Sequence, residues 1–139
     1  MFENTIGMAT LTASDMERAR KWWKDVFGLE PMRTSEGGDF FMVGGIPVMV
    51  YETQFAGTAK NTAFTILTDD LERDMTALRV HGVTFNDYDL PGITTVDGVA
   101  ETDDERGAWF NDSEGNIIAL AQPTDASMFA QARSMMQSH

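Results

Sequence analysis

The chain contains no cysteine. That excludes disulfides, thiolate metal sites and a cysteine nucleophile, and it fits a reducing compartment, so a cytoplasmic location is expected. Histidine is scarce too: only His81 and His139 are present. His81 falls at a helix end beside Gly82, where a cation suits the helix dipole, and His139 is the last residue; neither is expected to act as a metal ligand or general base. Basic residues are few. Ten Lys and Arg face 22 Asp and Glu, for a formal net charge of −12. A chain this acidic repels phosphate backbones, so no nucleic-acid partner is expected, and the charge reads as a solubility device rather than one tuned to a cationic ligand. No apolar run approaches the roughly 20 residues of a membrane span. Met1-Phe2-Glu3-Asn4-Thr5 shows no basic region followed by an apolar core, so no signal peptide is expected.

The 139 residues suit one domain, expected over 1–139. Ile6–Ala13 alternates as a strand, and Ser14-Asp15-Met16-Glu17 has the pattern of a capping box, with the serine accepting and Glu17 reaching back. A helix is expected to about Phe27, with Met16, Ala19, Trp23, Val26 and Phe27 on one stripe and Gly28 ending it. Trp23 is expected in the core and Trp22 half exposed. Strands follow at Glu30–Ser35, Asp39–Val43 and Ile46–Tyr51, separated by glycine turns. After the linker Thr53–Lys60 the pattern returns. Asn61–Thr68 is a strand, and Asp69-Asp70-Leu71-Glu72-Arg73 opens a helix with Leu71, Met75 and Leu78 inward. Val83–Tyr88, Gly107–Asn111 and Asn116–Ala121 are the remaining strands. The acidic connection Asp89–Arg106 reads as a lid, a binding loop or an excursion to a partner. The chain is therefore an internal repeat of about 55 residues, two β-α-β-β-β modules over about 5–52 and 61–122. A helical tail over about 125–137, apolar at Met128, Phe129, Ala132 and Met135–Met136, is expected to pack on the domain or on a partner subunit.

The string Trp109-Phe110-Asn111-Asp112-Ser113-Glu114-Gly115-Asn116-Ile117-Ile118-Ala119-Leu120 resembles the closing hairpin of the glyoxalase/bleomycin-resistance/extradiol-dioxygenase (vicinal oxygen chelate) superfamily. The resemblance extends to about Pro123. It implies an α+β fold in which the two modules form a curved eight-stranded mixed sheet with a concave cleft, and it implies a homodimer. In metal-binding relatives each module supplies one ligand seven residues before the acid that opens its helix and another in its last strand. Those positions are here Met8, Met49, Ala63 and Ala119. Two thioethers and two methyl groups cannot hold zinc or iron, which want His, Cys or carboxylate donors. Shifting the register by two residues recruits only Thr10, Asn61, Tyr51 or Ala121. No cofactor is expected. Glyoxalase I, extradiol dioxygenase and thiol-transferase fosfomycin-resistance activities, which need the metal in related proteins, are argued against.

By alternation the cleft should be lined by Met8, Thr10, Thr12, Met49, Tyr51, Asn61, Ala63, Thr65, Ile117, Ala119 and Ala121, with one aromatic from Phe40 or Phe41 and one, Trp109 or Phe110, from the other module. Arg33 either faces the cleft and holds an anion or stands in solvent, and the solvated position is the one expected. The leading expectation is a metal-free binding protein holding an apolar or aromatic, drug-like small molecule, neutral or cationic, as the resemblance to the bleomycin-resistance branch implies. The alternatives are an enzyme using Tyr51, Glu52 or an acid of the 89–106 loop, and a scaffold with an empty cleft.

Overall fold

A computed structural model describes residues 1–137, so the expectation for His139 lies outside the described residues. The chain forms two compact units. The first comprises 1–60 together with 112–116; the second comprises 61–111 and the chain from 117 onward. The boundary at 60/61 falls at the end of the polar linker, while the turn at 112–116 belongs with the first unit.

In the first unit β1 (Ala9–Ala13) leads into α1 (Met16–Trp22), then β2 (Arg33–Ser35), β3 (Gly38–Val43) and β4 (Ile46–Glu52). The sheet order is β1-β4-β3-β2; β1 runs parallel to β4 and the other pairs are antiparallel. Alternation decides the faces. Leu11, Ala13, Phe41, Val48 and Val50 are buried on the helix side. Trp23 stacks on Phe41 with ring centroids 4.4 Å apart and meets Phe27 edge-on at 5.0 Å. Trp23 opens a π-helical turn, Trp23–Phe27, that extends the helix to its expected end, and Gly28 closes it in the left-handed conformation (φ +68°) that a glycine adopts without steric cost. The Trp23 indole Nε1 is buried without a hydrogen-bond partner. Asp39, fully buried on the same side, pairs with Arg20 of α1 through Nε–Oδ2 at 2.5 Å and Nη2–Oδ1 at 3.0 Å. Nothing in the periodicity of the sequence signalled that pair.

The second unit contains β5 (Thr62–Leu67), α2 (Leu71–Val80), a small hairpin of β6 (Asp89–Leu90) and β7 (Ile93–Thr94), then β8 (Ala100–Glu101), β9 (Glu105–Asn111), β10 (Ile117–Pro123) and α3 (Ala126–Gln137). Its sheet order is β5-β10-β9-β8, with β5 parallel to β10. The two modules thus share one rule: the first strand lies parallel beside the last. The architecture is α+β, with two four-stranded mixed sheets and the two-stranded hairpin.

Several boundaries differ from the sequence expectation, each for a local reason. The helices are capped one residue later than the capping-box pattern implied. Asp15 and Asp70 are the N-caps, each side chain accepting from the backbone N–H three residues on, at 3.1 and 3.0 Å. Val83–Tyr88 is not a strand; it contributes one isolated bridge, Phe85 to Phe110. Its Asp87 accepts instead from Gly98 N–H and Thr95 Oγ1, the loop-forming use of an Asp side chain. The outer edge of β9 is consequently shared between that bridge and β8, which comes from the connection read as a lid, a binding loop or an excursion to a partner. In α3 no described residue is buried, although Phe129 and Ala132 are half covered.

Candidate functional site

Each sheet turns one face toward its helix and leaves the other more open, and the expected cleft residues divide between the two units. In the first, Thr10 pairs with Met49 and Thr12 with Tyr51 on adjacent strands. Met49 in turn pairs with Phe40. Phe40 is half-buried, whereas Phe41 is buried against Trp23, so Phe40 is the aromatic on the open side. Met8, just before β1, is 40% exposed.

In the second unit Thr65 pairs with Ala119, and Ala119 with Trp109. Phe110 is fully buried and meets Phe85 edge-on at 5.7 Å, so Trp109 takes the open side. A register shift interrupts the alternation of β5: Ile117 pairs with Thr62, but Ile118 pairs with Phe64. Ala63 is the unpaired residue of this bulge, and Thr62 joins the open side that alternation had assigned to its neighbours. Thr62 Oγ1 accepts from the Trp109 indole Nε1 at 3.1 Å. Asn61 precedes the strand, exposed, with its amide nitrogen donating to the Thr62 carbonyl.

Trp109 is the best-defined feature of this face. To reach Thr62 on β5 its ring must cross β10, which lies between β9 and β5 and presents Ala119 there. The far edge of the indole lies close to the open side of Gly107, where a Cβ would stand 3.6 Å from the Trp109 Cη2. Tyr88 packs on it edge-to-face with centroids 5.7 Å apart. Ala119 is only 6% exposed. A methyl group at 119 therefore suits an indole laid across the strand, where a longer side chain would compete for the same space.

The four positions that the resemblance matches to metal ligands sit at matching offsets in the two modules, but Met8 precedes β1 whereas Ala63 is the bulge residue inside β5. Asp15 and Asp70, from which they were counted, are the N-caps of α1 and α2. Thr10–Met49 and Thr65–Ala119 are equivalent pairs, so Met8 and Ala63 each lie two residues before the first-strand partner. The donor set at these positions, two thioethers and two methyl groups, does not fit the divalent metal of related enzymes. Among the described residues, no group of three or more His, Cys, Asp and Glu side chains is gathered to hold a metal. His81 caps the end of α2, exposed, as expected.

Sequence reasoning missed a second polar cluster, in the first unit. Glu114 Oε1 accepts from the backbone N–H of Ser14 and of Asp15, both at 3.0 Å, and its carboxylate pairs with Arg18 at 2.7 Å. Burial by itself would raise the Glu114 pKa. The hydrogen bond from Arg18, then those from the Asp15 N–H, Ser113 and the Ser14 N–H, outweigh it and hold the group at about 2. Asn116 clasps Thr12, donating to its carbonyl at 2.8 Å, and also donates to Asp112 at 2.7 Å. Burial pushes the Asp112 carboxyl up, against the hydrogen bonds from Asn116 and Glu114 N–H. Each of these side chains is bound to a backbone group or to a neighbour in the cluster, so the arrangement builds structure and offers no free acid or base.

The family model for the Glyoxalase/Bleomycin resistance protein/Dioxygenase superfamily matches residues 5–120. The chain belongs to that superfamily. Solved structures of similar fold include a glyoxalase/bleomycin resistance protein/dioxygenase from Alicyclobacillus acidocaldarius, 12% identical, covering 90% of this chain and 96% of that one with a TM-score of 0.69. TnmS3, an antibiotic binding protein from Streptomyces sp. CB03234, is 22% identical, covering 89% and 99% with a TM-score of 0.59. The fosfomycin resistance protein FosX from Listeria monocytogenes, complexed with Mn(II) and sulfate, is 15% identical, covering 95% and 99% with a TM-score of 0.64. At these identities the likeness shows the shared fold. No curated protein sequence matches the chain. Among the described residues no helix is long and apolar enough to cross a membrane.

Proposed function

We propose that this superfamily member is a metal-independent binding protein that holds an apolar or aromatic small molecule against the open faces of its sheets without transforming it. The donor set carries the proposal. Where metalloenzymes of the superfamily place ligands, this chain has Met8, Met49, Ala63 and Ala119. What remains on those faces is thioether, hydroxyl and aromatic surface, with Trp109 braced by Thr62 and Tyr88. Methionine adapts to irregular apolar shapes, and aromatic rings add stacking worth about 0.5–1.5 kcal/mol per pair. The likeness to an antibiotic binding protein supports the same reading.

The proposal includes a cytoplasmic homodimer. The absence of cysteine fits the compartment, and exposed Met128 and Met136 on α3 supply apolar surface for a partner subunit.

The test is a thermal-shift and tryptophan-fluorescence screen against apolar and aromatic compounds, run with and without a chelator. A ligand at one hundred times its Kd stabilises the folded state by about 2.7 kcal/mol, which is readily measured. Saturable stabilisation unaffected by the chelator is expected. Stoichiometric zinc, nickel, manganese or iron in the purified protein, or turnover dependent on added metal, would overturn the proposal. Light scattering should return twice the 15.4 kDa chain mass.

A further inference from the structure

We propose that the open face of the first unit selects an organic monoanion with an apolar body, and that Arg33 is the residue that holds the anion. This deepens the proposed ligand-binding role and rests on it.

Strand register sets the arrangement. Thr10 pairs with Met49, Met49 with Phe40, and Phe40 with Arg33, so one residue from each of the four strands forms a single cross-strand row. Paired residues on neighbouring strands project to the same side of a sheet, and strands lie about 4.8 Å apart, so the row spans about 14 Å. It reads hydroxyl, thioether, aromatic ring, guanidinium. The adjacent row carries Thr12 and Tyr51 on β1 and β4, and Ser35 opposite Gly38 on β2 and β3. Gly38 adds no side chain of its own; a Cβ there would stand 3.2 Å from the Tyr51 Cβ and 3.3 Å from the Met49 Cγ. A shallow apolar floor of Met49, Phe40 and Tyr51 thus ends at a cation.

Charge makes the end residue informative. Acids outnumber bases 22 to 10 in this chain, yet neither row contains a carboxylate. In the first unit Arg18, Arg20, Lys21 and Lys24 are each paired with an acid, to Glu114, Asp39, Asp25 and Glu30 respectively. Among the described residues the Arg33 guanidinium, like the Lys60 ammonium outside these rows, has no side-chain hydrogen bond or ion pair, while the Arg33 backbone is held in the β2–β3 ladder. Guanidinium presents a planar fork that matches a carboxylate or sulfonate in bidentate geometry. With a net charge of −12, the protein as a whole repels anions, so affinity for an anion would have to come from a local group such as this one. The local pattern thus points to an anion although the global charge is strongly negative.

Two fluorescent probes that share one skeleton separate the possibilities: 8-anilinonaphthalene-1-sulfonate, an anion, and N-phenyl-1-naphthylamine, neutral. Both are titrated into the full chain at low ionic strength and neutral pH. The anionic probe is expected to bind about tenfold more tightly than the neutral one. Arg33→Gln should abolish that preference while changing affinity for the neutral probe less than twofold, and Arg33→Lys should retain part of it. Raising the salt should erode the preference. Equal affinity for the two probes, or a preference unchanged in Arg33→Gln, overturns the assignment of Arg33 and leaves the ligand-binding role intact. Saturable binding of neither probe overturns both.

Discussion

Glu114 Oε1 lies 3.0 Å from the backbone nitrogen of Ser14, a hundred residues earlier in the chain, and equally close to that of Asp15. The N-terminus of α1 is therefore capped twice. Asp15 satisfies the Arg18 N–H from within the helix, and Glu114 satisfies two N–H groups just ahead of it from a distant turn. Its negative charge also sits at the favourable end of the helix dipole.

Replacing Glu114 with Gln should therefore cost stability. The variant keeps an acceptor oxygen but loses its charge and with it the pairing to Arg18. Hydrogen bonds to charged groups contribute about 1.5–3 kcal/mol, so urea denaturation should show a loss of about 2 kcal/mol with an unchanged m-value. Glu114→Ala should lose more, because both backbone donors then lack this partner.

Acid should act through the same residue. Glu114 is held at about 2 in the fold, against an ordinary value of 4.5. A depressed carboxyl pKa contributes stability that is fully present above the unfolded value and is lost as pH falls from 4.5 toward 2. Asp112 works in the opposite sense, since its raised pKa means that protonation on acidification relieves a cost of burial. Melting temperature followed from pH 6 to pH 2 should fall more shallowly in Glu114→Gln than in the parent, and the two curves should converge at the acid end. Parallel curves would remove Glu114 from the acid response.

Gly115 should tolerate no side chain. Its φ is +86°, and a Cβ there would stand 2.8 Å from the Gly57 Cα, a backbone atom that cannot move aside cheaply. Gly115→Ala should cost well over 1 kcal/mol, measured by chemical denaturation, since it combines a left-handed conformation with a clash. Gly44→Ala is the control, with φ +57° and nothing within 4 Å, and should cost about 1 kcal/mol or less.

Asp39→Ala should destabilise by about 1–3 kcal/mol, because it removes both hydrogen bonds to Arg20 and leaves a small void on the helix side of β3. Arg20 is partly exposed and can rehydrate, which keeps the loss below that of a fully buried pair. Asp39→Leu restores apolar volume without the ion pair, so it should recover part of the loss to the extent that the void causes it.

Ala119→Glu, which places a carboxylate where the resemblance puts a metal ligand in related enzymes, should not create a metal site, because Met8, Met49 and Ala63 still supply no suitable donor. It should destabilise instead, by about 1–3 kcal/mol, as the carboxylate competes with the Trp109 indole for the space over β10. A blue- or red-shifted tryptophan emission would report the displaced ring, and metal analysis would check the first half of the prediction.

Much of this architecture was legible in the sequence because it rests on short-range rules. Alternation at Leu11–Ala13 and Phe41–Val43, the stripes of both helices, and Gly28 at a helix end are each decided by neighbours within a few residues. Asp15 and Asp70, from which the expected ligand positions were counted, cap their helices at equivalent places in the two modules. That Met8, Met49, Ala63 and Ala119 carry two thioethers and two methyl groups is a property of the sequence alone.

The tertiary structure decided the rest, and always where a partner came from far along the chain. Alternation could not say which of Phe40 and Phe41, or of Trp109 and Phe110, turned inward; packing of Phe41 on Trp23 and of Phe110 on Phe85 did. The bulge that brings Thr62 to Trp109 shifts a period of two by one residue, which no local pattern announces. Ser14 looked like the cap, but Asp15 is, and the Ser14 N–H that Glu17 was expected to reach is taken by Glu114 from a hundred residues away. Side-chain periodicity records which face a residue takes; only the folded chain records what it meets there.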